Sequence, residues 1–396
     1  MKLAIIGFGN AGGKIADTLL EYEFETGRSL CRSVFAVNTA QVDLARLEHV
    51  PEDNRVLIGQ TDARSKGHGV GGDPDLGAEV AEQDRYELER ALDEVPIHEI
   101  DAFLVIAGLG GGTGSGGGPI FAEKVREIYD EPVYGLGILP SAEEGGRASL
   151  NAARSFPTFV GAVDNLLVFD NDTWRQSAAS VEETYEHTNR EIAKRVVTLL
   201  SAGEIDGSQV SENAMDSSDI RRTLDTGGVS VIAYAESELE ETTGPQGLLD
   251  RLRATPREPE NGADAATKVN SIIRKAVRSR LTCRAEVESA ERSLIVVSGP
   301  PEEFSRKGLE TGRQWLEQVT GSVEVLAGDD PRRSADSLSA AVLLSNVTDV
   351  PRIDQLQEQA VAAQENIVDQ ESTREDDIET LITDDYGELD PVGGRE

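Results

Sequence analysis

The chain has 396 residues, enough for two or three domains, and carries 73 acidic against 38 basic side chains, a net charge of −35. Such a charge repels nucleic-acid phosphates and anionic lipid, so no nucleic-acid partner is expected. Only 8 of the 38 bases are lysine, aromatics are 5%, and the acids are spread along the chain. That is the composition of a halophile's acidic surface, where salt screens the self-repulsion.

From the N-terminus, Leu3–Gly7 reads as a buried strand, and Gly12–Glu21 as a helix with Ile15, Leu19 and Leu20 on one face. Val34–Val37 and Val56–Ile58 follow as strands, and Asp75–Asp93 as one acidic helix. Phe103–Ala107, Val133–Leu139 and Leu166–Phe169 are further apolar runs, with a helix over Gly117–Tyr129. Continuous apolar strands alternating with helices predict an α/β fold, a parallel sheet covered on both faces.

A long helix is expected over Val181–Leu200, with Val181, Tyr185, Ile192, Val196 and Leu199 as its apolar stripe. Residues 236–263 read as an irregular surface excursion. A second, smaller α/β unit follows. It has helices at Val269–Leu281, Phe304–Val319 and Arg352–Val368 and strands at Ser293–Ser298, Val323–Leu326 and Ala340–Leu344. From Glu371 onward acids dominate, and a disordered tail is expected. The domain organisation read from this is 1–180, a helix over 181–201, 202–370, and a tail over 371–396.

The two cysteines are far apart, and the four histidines show no metal-ligand spacing, so no protein metal site is expected. The chain enters a strand at once, leaving no room for a signal peptide. No apolar stretch approaches the length of a transmembrane segment. The expected location is cytoplasmic.

Six of the nine residues of Gly108–Gly116 are glycine, and the run sits between a strand and a helix. Bare backbone N–H groups and a helix N-terminus make such a loop a phosphate site, whereas a plain turn needs only one or two glycines. Here Gly110, Gly111, Gly112, Thr113 and Gly114 are the candidate contacts. Side chains at 112 or 114 are expected to fill the phosphate's space, with part of the loop at positive φ.

A second glycine motif, Gly7-Phe-Gly-Asn-Ala-Gly12-Gly13-Lys14, follows the first strand and offers Asn10, Ala11, Gly12, Gly13 and Lys14. Read alone it suggests a dinucleotide fold and an NAD-dependent dehydrogenase. However, Asn38 stands where the ribose-binding acid would be, and no His-acid pair for proton transfer is evident. Its lysine also follows two glycines, with Ile15 where a phosphate-binding lysine loop has Ser or Thr. A third loop, Gly67–Gly77, could close over a terminal phosphate or be an ordinary surface loop.

Taken together, GGGTGSG at 110–116, GFGNAGGK at 7–14, AVNTAQVDL at 36–44 and the loop at 67–77 resemble, in order and spacing, the nucleotide loops of the tubulin/FtsZ superfamily of GTPases. The wording VYGLGILP, NAARSFPTFV and VDNLLVFDND, with the acidic surface, is similar to its CetZ group of haloarchaeal tubulin-like proteins. The resemblance covers about residues 1–370. It implies binding of GTP and GDP, with Mg²⁺ carried by the nucleotide, and head-to-tail self-assembly. It also implies hydrolysis completed at the subunit interface and a role in cell shape. A GTP-binding regulator that does not polymerise would share every one of these motifs.

The resemblance further implies that Glu144 bonds the ribose hydroxyls and that Asn171 and Asn189 read the base. Glu144 could also belong to a solvated turn and Asn171 to an Asx turn. Asn189 falls on the apolar face of the long helix, where an amide needs a partner. Asp216 and Asp219, one helical turn apart, resemble the acidic loop that acts on the next subunit's nucleotide. Asp-x-x-Asp before a helix is also a capping pattern. The FtsZ form has an asparagine two residues before the first of these acids; here that position is Ala214, with Asn213 one step displaced, so only the aspartates carry over. No partner for the tail is implied.

Overall fold

The computed structural model describes residues 1–174, 180–204, 215–239 and 261–366. The expected tail, most of the 236–263 excursion, and Asn213 and Ala214 lie outside these.

Parallel strands β1 (Leu3–Phe8), β2 (Cys31–Asn38), β3 (Arg55–Leu57), β4 (Ala102–Gly108), β5 (Val133–Leu139) and β6 (Asn165–Asp170) form the first half of the sheet. The second half contains β7 (Val229–Glu238), β8 (Ala290–Gly299), β9 (Glu324–Pro331) and β10 (Ser337–Val347). The two halves are not separate sheets. β7 pairs in parallel with β6 at Leu166–Val229 and Leu167–Ser230, giving one ten-stranded sheet ordered β3-β2-β1-β4-β5-β6-β7-β10-β8-β9. β10 runs antiparallel to β7 and β8, so the sheet is mixed.

Successive side chains of a strand face opposite sides. In β1, Ala4, Ile6 and Phe8 enter one apolar core while Leu3 and Ile5 enter the other. Each core runs from the first half of the sheet into the second.

The helices of the first half are α1 (Gly9–Thr26), α2 (Gln41–Ala45), α3 (Pro74–Gln83), α4 (Arg85–Leu92), α5 (Gly118–Ile128), α6 (Gly146–Ala162) and α7 (Asn171–Trp174). The single acidic helix expected over 75–93 is two. The chain breaks at Asp84, whose carboxylate turns away to accept a bond from the Gly59 N–H. α8 (Val181–Leu200) begins where expected, because Ser180 and Glu183 form a reciprocal cap. α9 (Ser217–Leu224), α10 (Asn261–Arg278), α11 (Arg306–Thr320) and α12 (351–366) complete the described elements. Among the described residues no helix is long and apolar enough to cross a membrane.

Candidate functional site

Because β1, β2, β4, β5 and β6 are parallel, the loops after them emerge at one edge of the sheet. That edge is where open α/β sheets hold ligands. The loops enclose a cavity of about 440 Å³, closed on one side by α8. Gly110, Gly111, Gly112, Thr113 and Gly114 line one part of it, facing Asn10, Ala11, Lys14 and the stretch His68–Gly72. Lys14 is the only lysine or arginine in the lining, and its ammonium makes no ion pair among the described residues.

The glycine loop is held from behind. Ser155 donates to the Ser115 carbonyl, and the Ser115 hydroxyl donates to the carbonyls of Gly111 and Gly112, so Ser115 is committed within the loop. The buried hydroxyls of Thr39 and Thr113 lie 2.7 Å apart. Asn151 donates to the carbonyls of Gly72 at 3.0 Å, Gly110 at 3.1 Å and Gly111 at 3.3 Å. One amide thus ties the 67–77 loop to the 108–116 loop. Neither Thr39 nor Asn151 was among the expected site residues. The signals in the sequence are Thr39's place in AVNTAQVDL and Asn151's at the head of NAARSFPTFV.

Two expectations need correction. The backbone of Gly112 has φ −95°, and no glycine of 108–116 has positive φ. Positive φ belongs to the neighbouring loop, at Gly67, Gly69, Gly71 and Gly72. Glycine at 112 and 114 is required by protein, not by ligand. A Cβ on Gly112 would stand 2.6 Å from Val70 Cγ2 and 2.7 Å from Asp73 N; one on Gly114 would stand 2.8 Å from Gly108 O. Gly111 lines the cavity, and nothing lies within 4 Å of where its Cβ would be. Gly12 and Gly13, by contrast, do not line the cavity. A Cβ on Gly12 would collide with the Ile106 carbonyl, so this glycine serves the close approach of α1 to β4.

At the far end of the cavity stand Glu144, Asn171, Tyr185 and Asn189. Glu144 Oε1 accepts from the Ser141 N–H at 2.9 Å and from the Asn171 amide at 3.3 Å. The Tyr185 hydroxyl also bonds Glu144; burial first, then this carboxylate, pushes the phenol up to about 12, so it stays a neutral donor. Asn189 is half-buried on the cavity wall and its amide has no hydrogen-bond partner among the described residues. An amide so placed can bond a ligand.

Asp216 and Asp219 are elsewhere. Asp216 caps α9, accepting from Ser218 N at 2.8 Å and Asp219 N at 3.1 Å, while Asp219 reaches back to Asp216 N at 3.4 Å. The capping pattern is therefore real. Ser217, between them, bonds Asp101, and Asp101 in turn accepts from Lys2 N at 2.7 Å. Lys2 and Asp101 immediately precede β1 and β4. The acids therefore stand at the N-terminal edge of the sheet, opposite the cavity. Asp216 is exposed, and the Ser218 hydroxyl, then the Asp219 N–H, hold its carboxyl below the usual range.

Among the described residues no three acidic, histidine or cysteine side chains are grouped to hold a metal. The donor set does not make a metal site by itself; Mg²⁺ would come as part of the nucleotide substrate.

The model of the tubulin/FtsZ family GTPase domain matches residues 2–179, and that of the tubulin-like CetZ C-terminal domain matches residues 178–362. Tubulin-like protein CetZ1 of Haloferax volcanii is 52% identical over 93% of this chain and 93% of its own length. Among solved structures, a GDP-bound monomer of H. volcanii CetZ1 is 49% identical, with TM-score 0.80 over 92% of this chain and 100% of that one. A GTPγS-bound protofilament of H. volcanii CetZ2 is 38% identical, with TM-score 0.80 over 93% and 99%. The two family models adjoin at 178–179, where the glycine-loop half ends and α8 begins, so the whole architecture falls within one lineage: the chain belongs to the tubulin/FtsZ family, in its CetZ group.

Proposed function

We propose that this chain is a GTP-binding, GTP-hydrolysing cytoskeletal subunit that assembles head to tail and completes its hydrolytic site only at the contact between two copies. The observation that carries this reading is the placement of the cavity and the Asp216 cap at opposite edges of one sheet. A contact between unlike ends does not close on itself and so builds a filament. Support comes from the two H. volcanii relatives, one solved with GDP as a monomer and the other with GTPγS as a protofilament.

In this reading the backbone of Gly110–Gly114 and of Asn10 and Ala11 holds the phosphates, with Lys14 adding a point charge. Glu144 takes the ribose hydroxyls, and Asn171 and Asn189 take the guanine edge. Residues 1–180 form the nucleotide domain, α8 the link, and 202–370 the part that presents the acids. Attack by water on the γ-phosphorus forms a P–O bond as the bridging P–O bond to the β-phosphate breaks, leaving GDP and phosphate. Asp216 and Asp219 of the next subunit orient that water. A carboxylate held below its usual range stays ionised at neutral pH and so accepts the water's hydrogen bonds. Catalysis is otherwise positioning and stabilisation of phosphate charge by fixed N–H dipoles. The cellular role that fits a CetZ-type filament is control of cell shape, in the cytoplasm.

Sedimentation in molar KCl tests assembly. The chain should pellet with GTP or GTPγS and stay in solution with GDP. A chain that binds GTP yet remains monomeric at every concentration would instead be a non-polymerising GTP-binding regulator.

A further inference from the structure

We infer that Arg352, on α12, is a positioning residue for the ribose end of the nucleotide site, acting through two of the three donors that hold Glu144, the Ser141 N–H and the Asn171 amide. The inference rests on the reading of Glu144 as the ribose ligand. Arg352 is 4% exposed and its partner Asp170 3%. Its Nε donates to Asp170 Oδ1 at 2.9 Å, and one terminal nitrogen donates to the Pro140 carbonyl, also at 2.9 Å. A planar guanidinium can hold two acceptors in one fixed plane; a lysine cannot.

Both acceptors lead to Glu144. The Pro140 carbonyl belongs to the same peptide group as the Ser141 N–H, and that N–H donates to Glu144 Oε1 at 2.9 Å. A peptide whose oxygen accepts from a cation has a more polarised N–H, so the guanidinium both orients and strengthens the bond to Glu144. Asp170 is followed in the chain by Asn171, whose amide donates to the same Glu144 oxygen at 3.3 Å. Asp170 is itself held on its far side by Thr173 at 2.6 Å. One buried side chain therefore sets the ends of β5 and β6 relative to each other, and with them the carboxylate between.

α12 is built to deliver that side chain. Arg352, Leu356, Ala360 and Ala363 recur at helical spacing and are all buried. Ala363 packs so closely on Gly146 that a Cβ there would stand 2.9 Å from its own. The helix thus backs both ends of the 140–146 segment that carries Glu144, which gives the C-terminal part of the chain a role in nucleotide recognition. Arg352 touches no part of the cavity lining except Pro140 and is not itself a ligand.

The test compares binding of GTP and 3′-deoxy-GTP by the full chain in molar KCl. Wild type should prefer GTP by about tenfold, the value of one hydrogen bond to a charged group. Glu144→Gln should reduce the preference to near unity. Removing Arg352 alone strands a buried carboxylate and endangers folding, so the working variant is Arg352→Gln with Asp170→Asn; Arg352→Lys keeps the charge but not the fork. Both should also lose most of the preference. Leu356→Ala, which loosens α12 without touching the bridge, should lower thermal stability and keep the preference. If Glu144→Gln loses the preference and both Arg352 variants keep it, the inference about Arg352 is overturned while the ribose reading stands. Loss of the preference in Leu356→Ala to the same extent would also overturn it, because helix docking alone would then account for the effect. If wild type shows no preference, or Glu144→Gln retains it, the ribose reading falls and the inference with it.

Discussion

Gly111 and Gly114 lie three residues apart in the same loop, and their replacement should have opposite consequences. A Cβ on Gly114 would stand 2.8 Å from Gly108 O, 3.0 Å from Phe8 O and 3.1 Å from Gly108 N. These are backbone atoms at strand ends and cannot swing aside, so Gly114→Ala should cost about 1–3 kcal/mol of stability, the usual range for overpacking. At Gly111 nothing lies within 4 Å and φ is not positive. Gly111→Ala should therefore leave stability unchanged or raise it by about 0.4–1 kcal/mol, through the less flexible unfolded chain. The cost at Gly111 appears in binding. A side chain on the cavity surface holds the phosphate away from one or two N–H donors, each charge-assisted bond being worth about 1.5–3 kcal/mol. One lost bond corresponds to about 10- to 150-fold in affinity. Thermal unfolding and titration with a fluorescent guanine nucleotide in molar KCl separate the two effects. The larger Gly111→Val should bind GTP at least tenfold more weakly while melting near the wild-type temperature. If it bound GTP as tightly as wild type, the phosphates would not lie against this loop.

The acidic cap offers a cleaner substitution than alanine. Asparagine caps a helix as well as aspartate, whereas alanine costs about 1 kcal/mol, so Asp216→Asn should fold and bind GTP normally yet hydrolyse it slowly. Mixed with Gly111→Val at a GTP concentration that fills the wild-type pocket but leaves the weakened one largely empty, it should recover turnover, because each variant supplies the half-site the other lacks; a mixture as inactive as its parts would count against a shared site. Asp216's carboxyl is depressed in the folded chain, so its cap is present above the usual carboxylate range near pH 4 and lost as pH falls below it. Acid titrations of wild type and Asp216→Asn should accordingly part company only below about pH 4. Asn189→Leu should weaken GTP binding by about fivefold per hydrogen bond lost, with ATP affinity unchanged; equal losses for both nucleotides would remove Asn189 from base reading. At −35, assembly should improve toward molar salt as the Debye length contracts from about 30 Å at 0.01 M to about 3 Å at 1 M. Deleting residues 371–396 should lower the salt required without altering GTP affinity, and assembly that peaks in dilute buffer would refute the halophile reading.

What could be read from the sequence was local. α8 begins at Val181 because its cap, Ser180 with Glu183, is written in adjacent residues. β5 spans Val133–Leu139 as expected because every residue in it is apolar or glycine. The break at Asp84 was invisible, since no glycine or proline marks it and its cause is a bond to Gly59, 25 residues away. α6 is not among the expected helices, since a proline inside a segment, here Pro157, and glycines near both its ends read as helix breakers. β7 is not among the expected strands, and only its two pairs with β6 reveal that the two halves share one sheet. At the site, the glycine loops announced themselves by composition, whereas the reason for Gly112 did not, because the atoms that forbid a side chain come from Val70 and Asp73. Asn151 and Arg352 act across 41 and 212 residues of chain, on Gly110 and Pro140, and no local pattern encodes either contact.

In the proposed function one chain binds GTP and two chains hydrolyse it. Its most direct measurement is GTP turnover per subunit across a dilution series in molar KCl, with the assembled fraction followed by light scattering on the same samples. Turnover per subunit should fall toward zero below the assembly threshold and rise in proportion to the assembled fraction above it. A rate per chain that stays constant on dilution into the monomeric range would show that a single chain carries the complete site and that Asp216 and Asp219 do not act across a contact.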